Sequence, residues 1–189
     1  NLPYDNFYEE RTQSINSRIA RASGWANVYG YFTDQNIWPR GFPLDEIRKK
    51  LPVLAKENRI ITAPIQQGLA DGNPDVDAVY RMTSPLPVSF DKASPVALTE
   101  NTWCPFNSQN TTWFKQAFVL MYLPSYCSFR MTDIWRSFIA QRLAWTCGWN
   151  IVFHQPTVFQ ERNPHNLLDN FQLEIPGYIH NGTIVKILG

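Results

Sequence analysis

An α/β fold class is predicted for this chain of 189 residues, and three observations predict it. Short β-branched runs such as Arg-Ile-Ile-Thr-Ala at 59–63 read as strands. Apolar stripes at helical spacing read as helices, most clearly over 131–147. The two kinds alternate along the chain, as in sheets flanked by helices. The length suits one domain, 1–189, and an apolar content of 44% allows a sizeable core.

Taken in order, residues 7–23 read as a helix. Phe7 or Tyr8, Arg11, Ile15, Ile19 and Ala22 share one face, and Gly24 stops it. Residues 25–43 are aromatic and turn-rich, and 44–51 read as a short helix between Pro43 and Pro52. The run 59–63 is expected as a buried strand, 66–75 as a loop and 76–82 as a second strand. After a Pro- and Ser-rich stretch over 83–101, residues 110–121 read as a helix. Thr111 or Thr112 would cap it, and Phe114, Ala117, Phe118 and Met121 form its stripe. The helix over 131–147 carries Thr132 at its N-cap and Ile134, Trp135, Phe138, Ile139, Leu143 and Cys147 on its apolar side. Residues 150–154 read as a short strand. The tail, 171–189, is expected as an edge strand or as an unstructured end. There is no internal repeat, no GxGxxG and no P-loop, so if this is an α/β nucleotide-binding fold, its Rossmann-like nucleotide half is expected to be missing or to lie upstream.

Composition narrows the function classes. Charged residues make up 17% and the net charge is +1, which argues against nucleic acid as a partner, since polyanion affinity needs clustered Lys and Arg. The longest basic run, Arg48-Lys49-Lys50, suits a solvated face. Seven Trp residues suit the stacking of sugar C–H faces as well as a core. Three Cys residues without a CxxC spacing argue against structural zinc and leave open one disulfide or three thiols. Two N-glycosylation sequons, Asn110-Thr111-Thr112 and Asn181-Gly182-Thr183, permit a secretory location. No apolar run approaches the roughly 18 residues of a membrane span. The opening Asn1-Leu2-Pro3, without an initiator Met, reads as the start of a piece of a longer protein.

Among candidate chemical residues Asp133 comes first. It sits at the start of the 131–147 helix, where the helix dipole favours a carboxylate, followed by Trp135 and Arg136. There it would take a proton from an acceptor hydroxyl or hold a sugar hydroxyl, although Asp is also routine helix-start decoration. Asp71, Asn73, Asp75 and Asp77 alternate like the start of a calcium loop. Val76 stands where that loop needs Gly, and Met82 where it needs Glu, so an EF-hand is rejected. These acids suit either a cation neighbourhood or an Asx-rich turn. Arg40, between Pro39 and Gly41, offers a fixed guanidinium suited to pyrophosphate. His154 ends a short apolar strand, where it would ligate a metal or sit as a core histidine.

Four ordered segments go further. Trp38-Pro39-Arg40-Gly41-Phe42-Pro43-Leu44 resembles the (W/Y)PRG(F/Y)P segment of the plant reversibly glycosylated polypeptides, which are UDP-arabinopyranose mutases, and of the STELLO-type glycosyltransferases. Residues 68–78 (GLADGNPDVDA) look like the GL…PD.DA segment of both. Residues 105–111 (PFNSQNT) and the Asp133-Ile134-Trp135-Arg136…Ala140-Gln141-Arg142 helix are closer to STELLO. The resemblance covers roughly residues 25–170. It implies a GT-A-like fold, of which this chain is expected to be the C-terminal, acceptor-side part.

The same resemblance implies a nucleotide-sugar-dependent glycosyltransferase using a UDP- or GDP-linked donor and a saccharide or protein acceptor. It implies Asp133 as the acceptor-side carboxylate, catalytic as base or as sugar ligand, Arg40 at the substrate and His154 at a divalent cation, Mn²⁺ or Mg²⁺; Trp38, Asp75, Asp77, Trp135 and Arg136 are the further candidates for substrate binding. Asp75-Val76-Asp77 has the letters of a DxD motif but lies downstream of the family's metal motif, which is expected before Asn1. The alternatives it implies are a non-catalytic scaffold in a polysaccharide-synthesising assembly, with protein partners, and a nucleotide-sugar mutase. The implied location is the Golgi lumen or secretory pathway, or else the cytoplasmic face of the Golgi.

Overall fold

The computed structural model describes residues 12–163 and 165–189. In chain order the elements are β1 (Ser14–Ala20), β2 (Gly24–Trp25), β3 (Arg59–Thr62), β4 (Ile65–Gly72), α1 (Ala78–Thr83), β5 (Val96–Leu98), β6 (Thr102–Trp103), β7 (Thr111–Trp113), α2 (Thr132–Thr146), β8 (Ile151–Gln160) and α3 (Leu167–Leu188). Six strands form one mixed sheet in the order β3-β1-β5-β8-β4-β7, and β2 pairs with β6 separately. The pairs β1–β5 and β4–β8 are parallel, while β5–β8, β1–β3 and β4–β7 are antiparallel. The α/β class stands.

Period-2 alternation divides the apolar residues between the two faces of the sheet. Ala20, Val96, Leu98, Ile151 and Phe153 join the main core. Ile19, Ala97 and Val152, their neighbours in sequence, cluster with Ala63 on the other face. Helix α2 packs Ile134, Phe138 and Trp145 against Trp103, Met131 and Val185 of α3. That layer is fixed by edge-on rings, with Trp103 4.5 Å from Trp145 and Trp25 5.6 Å from Phe138.

Several expectations are corrected. In place of the helix expected over 7–23, residues 14–20 form the strand β1; the start of that stretch, 7–11, lies outside the described residues. Ile15 and Ile19 satisfy i,i+4 and period 2 equally, and pairing with β3 and β5 decides for the strand. Residues 44–51 form successive turns, not a helix. β3 is an exposed edge strand rather than a buried one. The expected loop 66–75 is largely β4, a strand with neighbours on both sides and residues buried along almost its whole length. Residues 78–83 are helical, capped by Asp77 Oδ1, which accepts from the Tyr80 N–H at 2.7 Å.

Residues 111–113 pair with β4, and a 3-10 turn over 115–121 follows, in place of a helix over 110–121. The helix over 131–147 is present as α2, with Met131 at the N-cap and Thr132 as its first residue. The tail is α3, which runs through Pro176. Proline removes a donor and crowds the carbonyls of the preceding turn. Ser128 Oγ donates to one of them, Leu173 O, at 2.5 Å. Asn166 caps the start of α3 by accepting from the Leu168 and Asp169 N–H groups.

Candidate functional site

The PRG loop and the PDVD turn are joined crosswise. Trp38 Nε1 donates to Asp77 Oδ2 at 2.8 Å, the Arg40 N–H donates to Asp75 O at 3.0 Å, and the Arg40 guanidinium spans the Asp75 carboxylate at 2.9–3.2 Å. Position 38 thus meets 77 and position 40 meets 75, as in a short antiparallel pairing of side chains. Gly41 makes the turn with φ +87, and a Cβ there would stand 2.4 Å from Ile134 Cγ2 of α2. The close approach brings Arg40 to the start of that helix.

There Arg40 Nη2 donates to Asp133 Oδ2 at 2.9 Å and Nη1 to Asp133 Oδ1 at 3.1 Å, and Nη1 also reaches Arg130 O. Asp133 further accepts from the Ile134 and Ser108 N–H groups at 3.0 and 3.2 Å. Arg136, one turn on, donates to Ser108 Oγ at 3.0 Å and lies over the Trp113 ring at 4.8 Å. The third and fourth motif segments are thereby tied to the first two.

Burial and charge decide the electrostatics. Burial alone would weaken the hold of Arg40 on its proton, but Asp75 and Asp133 more than offset it and raise its pKa above the ordinary arginine value. Burial would raise the Asp75 carboxyl, yet the charge and hydrogen bonds of Arg40, then the charge of Arg162 at 3.1 Å, bring it down to about 2. Asp77 has no such cation among the described residues. Burial pushes it up to about 6 against the pull of the Tyr80 N–H and the Trp38 indole, and Glu174 adds to the rise. Two aspartates two residues apart are therefore set to opposite ends of the carboxylate range.

The predicted residues separate into two groups. Arg40, Asp75 and Asp133 meet in one ion cluster, with Trp38, Asp77 and Arg136 fastened to its flanks. Trp135 points away, its indole donating to Asn181 Oδ1 of α3 at 2.8 Å. His154 follows the cavity-lining Phe153 on β8 and so faces the other side of the sheet, with Nε2 3.0 Å from Gln66 Oε1. Among the described residues no group of three His, Cys, Asp or Glu side chains is placed to hold a metal ion.

Beside the ion cluster, between Arg40, Asp75, Asn107 and Ile134, lies a cavity of about 10 Å³. That is the room of one water molecule, against roughly 300–1,000 Å³ for a small-molecule pocket. Arg40 is 4% exposed, with every guanidinium nitrogen bonded, so a sugar cannot reach it in this conformation.

Sequence reasoning passed over the residues that complete the cluster. Gln141, in the AQR stretch, accepts the Cys104 N–H, and Gln67 Oε1 accepts the Asn107 N–H. Glu174 of α3 accepts the Ala78 N–H at 2.7 Å and pairs with Arg130 at 2.6 Å. The one available signal was polar residues inside otherwise apolar helical stripes. The cysteines are three free thiols, with Cys104 buried and pushed up to about 12 by that burial. Both sequon asparagines are bonded through their amide nitrogens, Asn110 to Leu69 O and Thr157 Oγ1, Asn181 to Gly41 O. No helix among the described residues is long and apolar enough to cross a membrane.

Residues 130–189, from just ahead of α2 to beyond the end of α3, match the family described as STELLO glycosyltransferases. The Probable glycosyltransferase STELLO2 of Arabidopsis thaliana is 35% identical over 144 residues, covering 70% of this chain and 18% of that protein. The Probable glycosyltransferase STELLO1 of the same plant is 33% identical over 176 residues, covering 86% of this chain and 22% of that protein. A mixed α/β sheet whose motif segments close on one ion cluster is consistent with a glycosyltransferase-like fold. Within that class the chain belongs to the STELLO family. It spans about a fifth of the length of these two relatives.

Proposed function

We propose that this chain is the acceptor-side part of a glycosyltransferase that takes a UDP- or GDP-linked sugar and a saccharide or protein acceptor, in the Golgi lumen or the wider secretory pathway. One observation carries the reading. Four motif segments, separated by up to 93 residues, converge on Arg40, Asp75 and Asp133 through direct bonds. A cluster assembled from so many segments fixes the loop geometry from which a substrate surface is built. In this reading Asp133 and Arg40 are positioning residues, since all their polar atoms face protein groups, and no step is routed through a cation.

The test is sugar transfer and nucleotide release by the protein with a panel of UDP- and GDP-sugars, with and without Mn²⁺. Transfer from one donor, lost in Asp133→Asn at unchanged circular dichroism, supports the reading. No turnover of any donor by the folded protein sinks it.

A second reading is favoured by the one-water cavity: a transferase fold that serves as a scaffold or regulator in a polysaccharide-synthesising assembly. It expects no turnover, and co-purification of glycan-synthesising subunits that Arg40→Met abolishes. The mutase reading requires interconversion of a UDP-sugar's ring forms without acceptor, which the same panel reads directly.

A further inference from the structure

Strands β4 and β8 run parallel and end together, Gly72 opposite Gln160. The carboxyl ends of parallel strands are where α/β sheets take ligands. Immediately beyond them three guanidinium groups gather. Arg162 follows β8 and donates from Nη2 to Asp75 Oδ1 at 3.1 Å. Arg81 extends from α1 to Pro74 O at 2.6 Å and to Asn73 Oδ1. Arg130, ahead of α2, pairs with Glu174.

The cluster is incompletely matched. Asp75 is shared between Arg40 and Arg162, and Glu174 is taken by Arg130. Arg81 has no carboxylate partner among the described residues, only two neutral oxygens. Its pKa is lowered to about 10, first by burial and then by Arg162. Arg81 Nε and Arg162 Nε are both shielded from solvent and have no hydrogen-bond partner among the described residues. An unmet, shielded donor on a half-buried cation is costly to leave, and two of them on neighbouring elements call for the same remedy. That remedy is an anion with several oxygens, which guanidinium groups hold in a bidentate fashion.

We propose that Arg81 and Arg162, with Arg130 behind them, form a diphosphate-binding subsite at the carboxyl ends of β4 and β8. The proposal rests on the nucleotide-sugar reading and gives it an anchor: the phosphoryl oxygens accept from the two Nε–H groups. The charge of Asp75 is already spanned by two arginines, Arg40 and Arg162.

Titration calorimetry of the whole chain with inorganic pyrophosphate, UDP and uridine tests it. Pyrophosphate and UDP are expected to bind and uridine is not. Arg81→Gln and Arg162→Lys are each expected to weaken pyrophosphate binding at least about tenfold, about 1.4 kcal/mol. Arg142→Gln is expected to leave it unchanged, since that side chain bonds Leu188 O at the far end of α3. UDP binding more tightly than pyrophosphate through the same arginines assigns the site to a nucleotide; equal binding assigns it to a free polyphosphate. Arg81→Gln orphans no carboxylate, so its fold is expected to hold even where Arg162→Lys fails to fold. No pyrophosphate binding by the parent chain, or binding that folded Arg81→Gln leaves unchanged, overturns the subsite. Pyrophosphate binding without sugar transfer leaves the subsite standing and removes the transferase reading. Transfer with unaltered donor affinity in Arg81→Gln does the reverse.

Discussion

The PRG loop and the segment 116–129 are both rich in large side chains, and they use them in opposite ways. Trp38, Arg40 and Phe42 are all buried, and the polar groups of the first two bond within the chain. From Gln116 to Phe129 there is no charged residue, yet Val119, Tyr122, Tyr126 and Phe129 are at least 78% exposed. In the first region buried charge fixes which segments meet. In the second, Ala117 and Leu120 reach the core while the larger apolar side chains around them remain in water. Removing one partner of a buried ion cluster is strongly destabilising even where the cluster itself adds little net stability, because it leaves uncompensated charge. Trimming an exposed apolar side chain removes no packing at all.

Arg40→Met is the sharpest way to break the contrast. It leaves Asp75 and Asp133 buried without their shared cation and is expected to cost about 3–5 kcal/mol in urea unfolding. Gly41→Ala asks whether the loop needs its close approach. A positive φ and the 2.4 Å contact with Ile134 predict a loss of about 2–3 kcal/mol in thermal unfolding.

Asp77→Asn separates the two aspartates by pH. Asp77 has a raised folded pKa, so its contribution is full below about 4 and is lost as pH rises through about 6. Asp75 is depressed, and its contribution is lost as pH falls from about 4 to about 2. Relative to Asp77→Asn, the parent chain is expected to lose roughly 2 kcal/mol between pH 4 and 7, read from paired denaturation curves. A pH-independent difference would show that Asp77 is not held as described. At the small end, Tyr126→Ser is expected to change stability by less than about 0.5 kcal/mol, measured by the same unfolding assay. A larger loss would mean that this segment packs after all.

Legibility followed the same division. Helix α2 was readable because Ile134 and Phe138 repeat at one-turn spacing beside a helix-start Asp. Three of the four convergent motif segments meet Arg40 directly or through Asp133, and the family resemblance brought them together before any geometry. β4 was unreadable because its sequence is polar and glycine-rich. Gln66 and Gln67 are buried there by bonding to backbone carbonyls, and Gly68 leaves room for the Asn110 side chain, which would stand 2.4 Å from a Cβ. α3 was hidden by Pro176, whose turn lies against Ser128, a hydroxyl donor to Leu173 O from 45 positions upstream. Arg81 and Arg162 carried no local signal, because their meaning depends on β4 and β8 ending side by side.

The Asn181 amide adds a consequence for biosynthesis. Its nitrogen donates to Gly41 O at 2.7 Å, and it is the atom to which an oligosaccharide would be joined in the sequon Asn-Gly-Thr. A chain modified there during translocation could not seat α3 against the PRG loop. Glycan occupancy at Asn181 would therefore mark molecules that had not closed, and a deglycosylation gel-shift would count them.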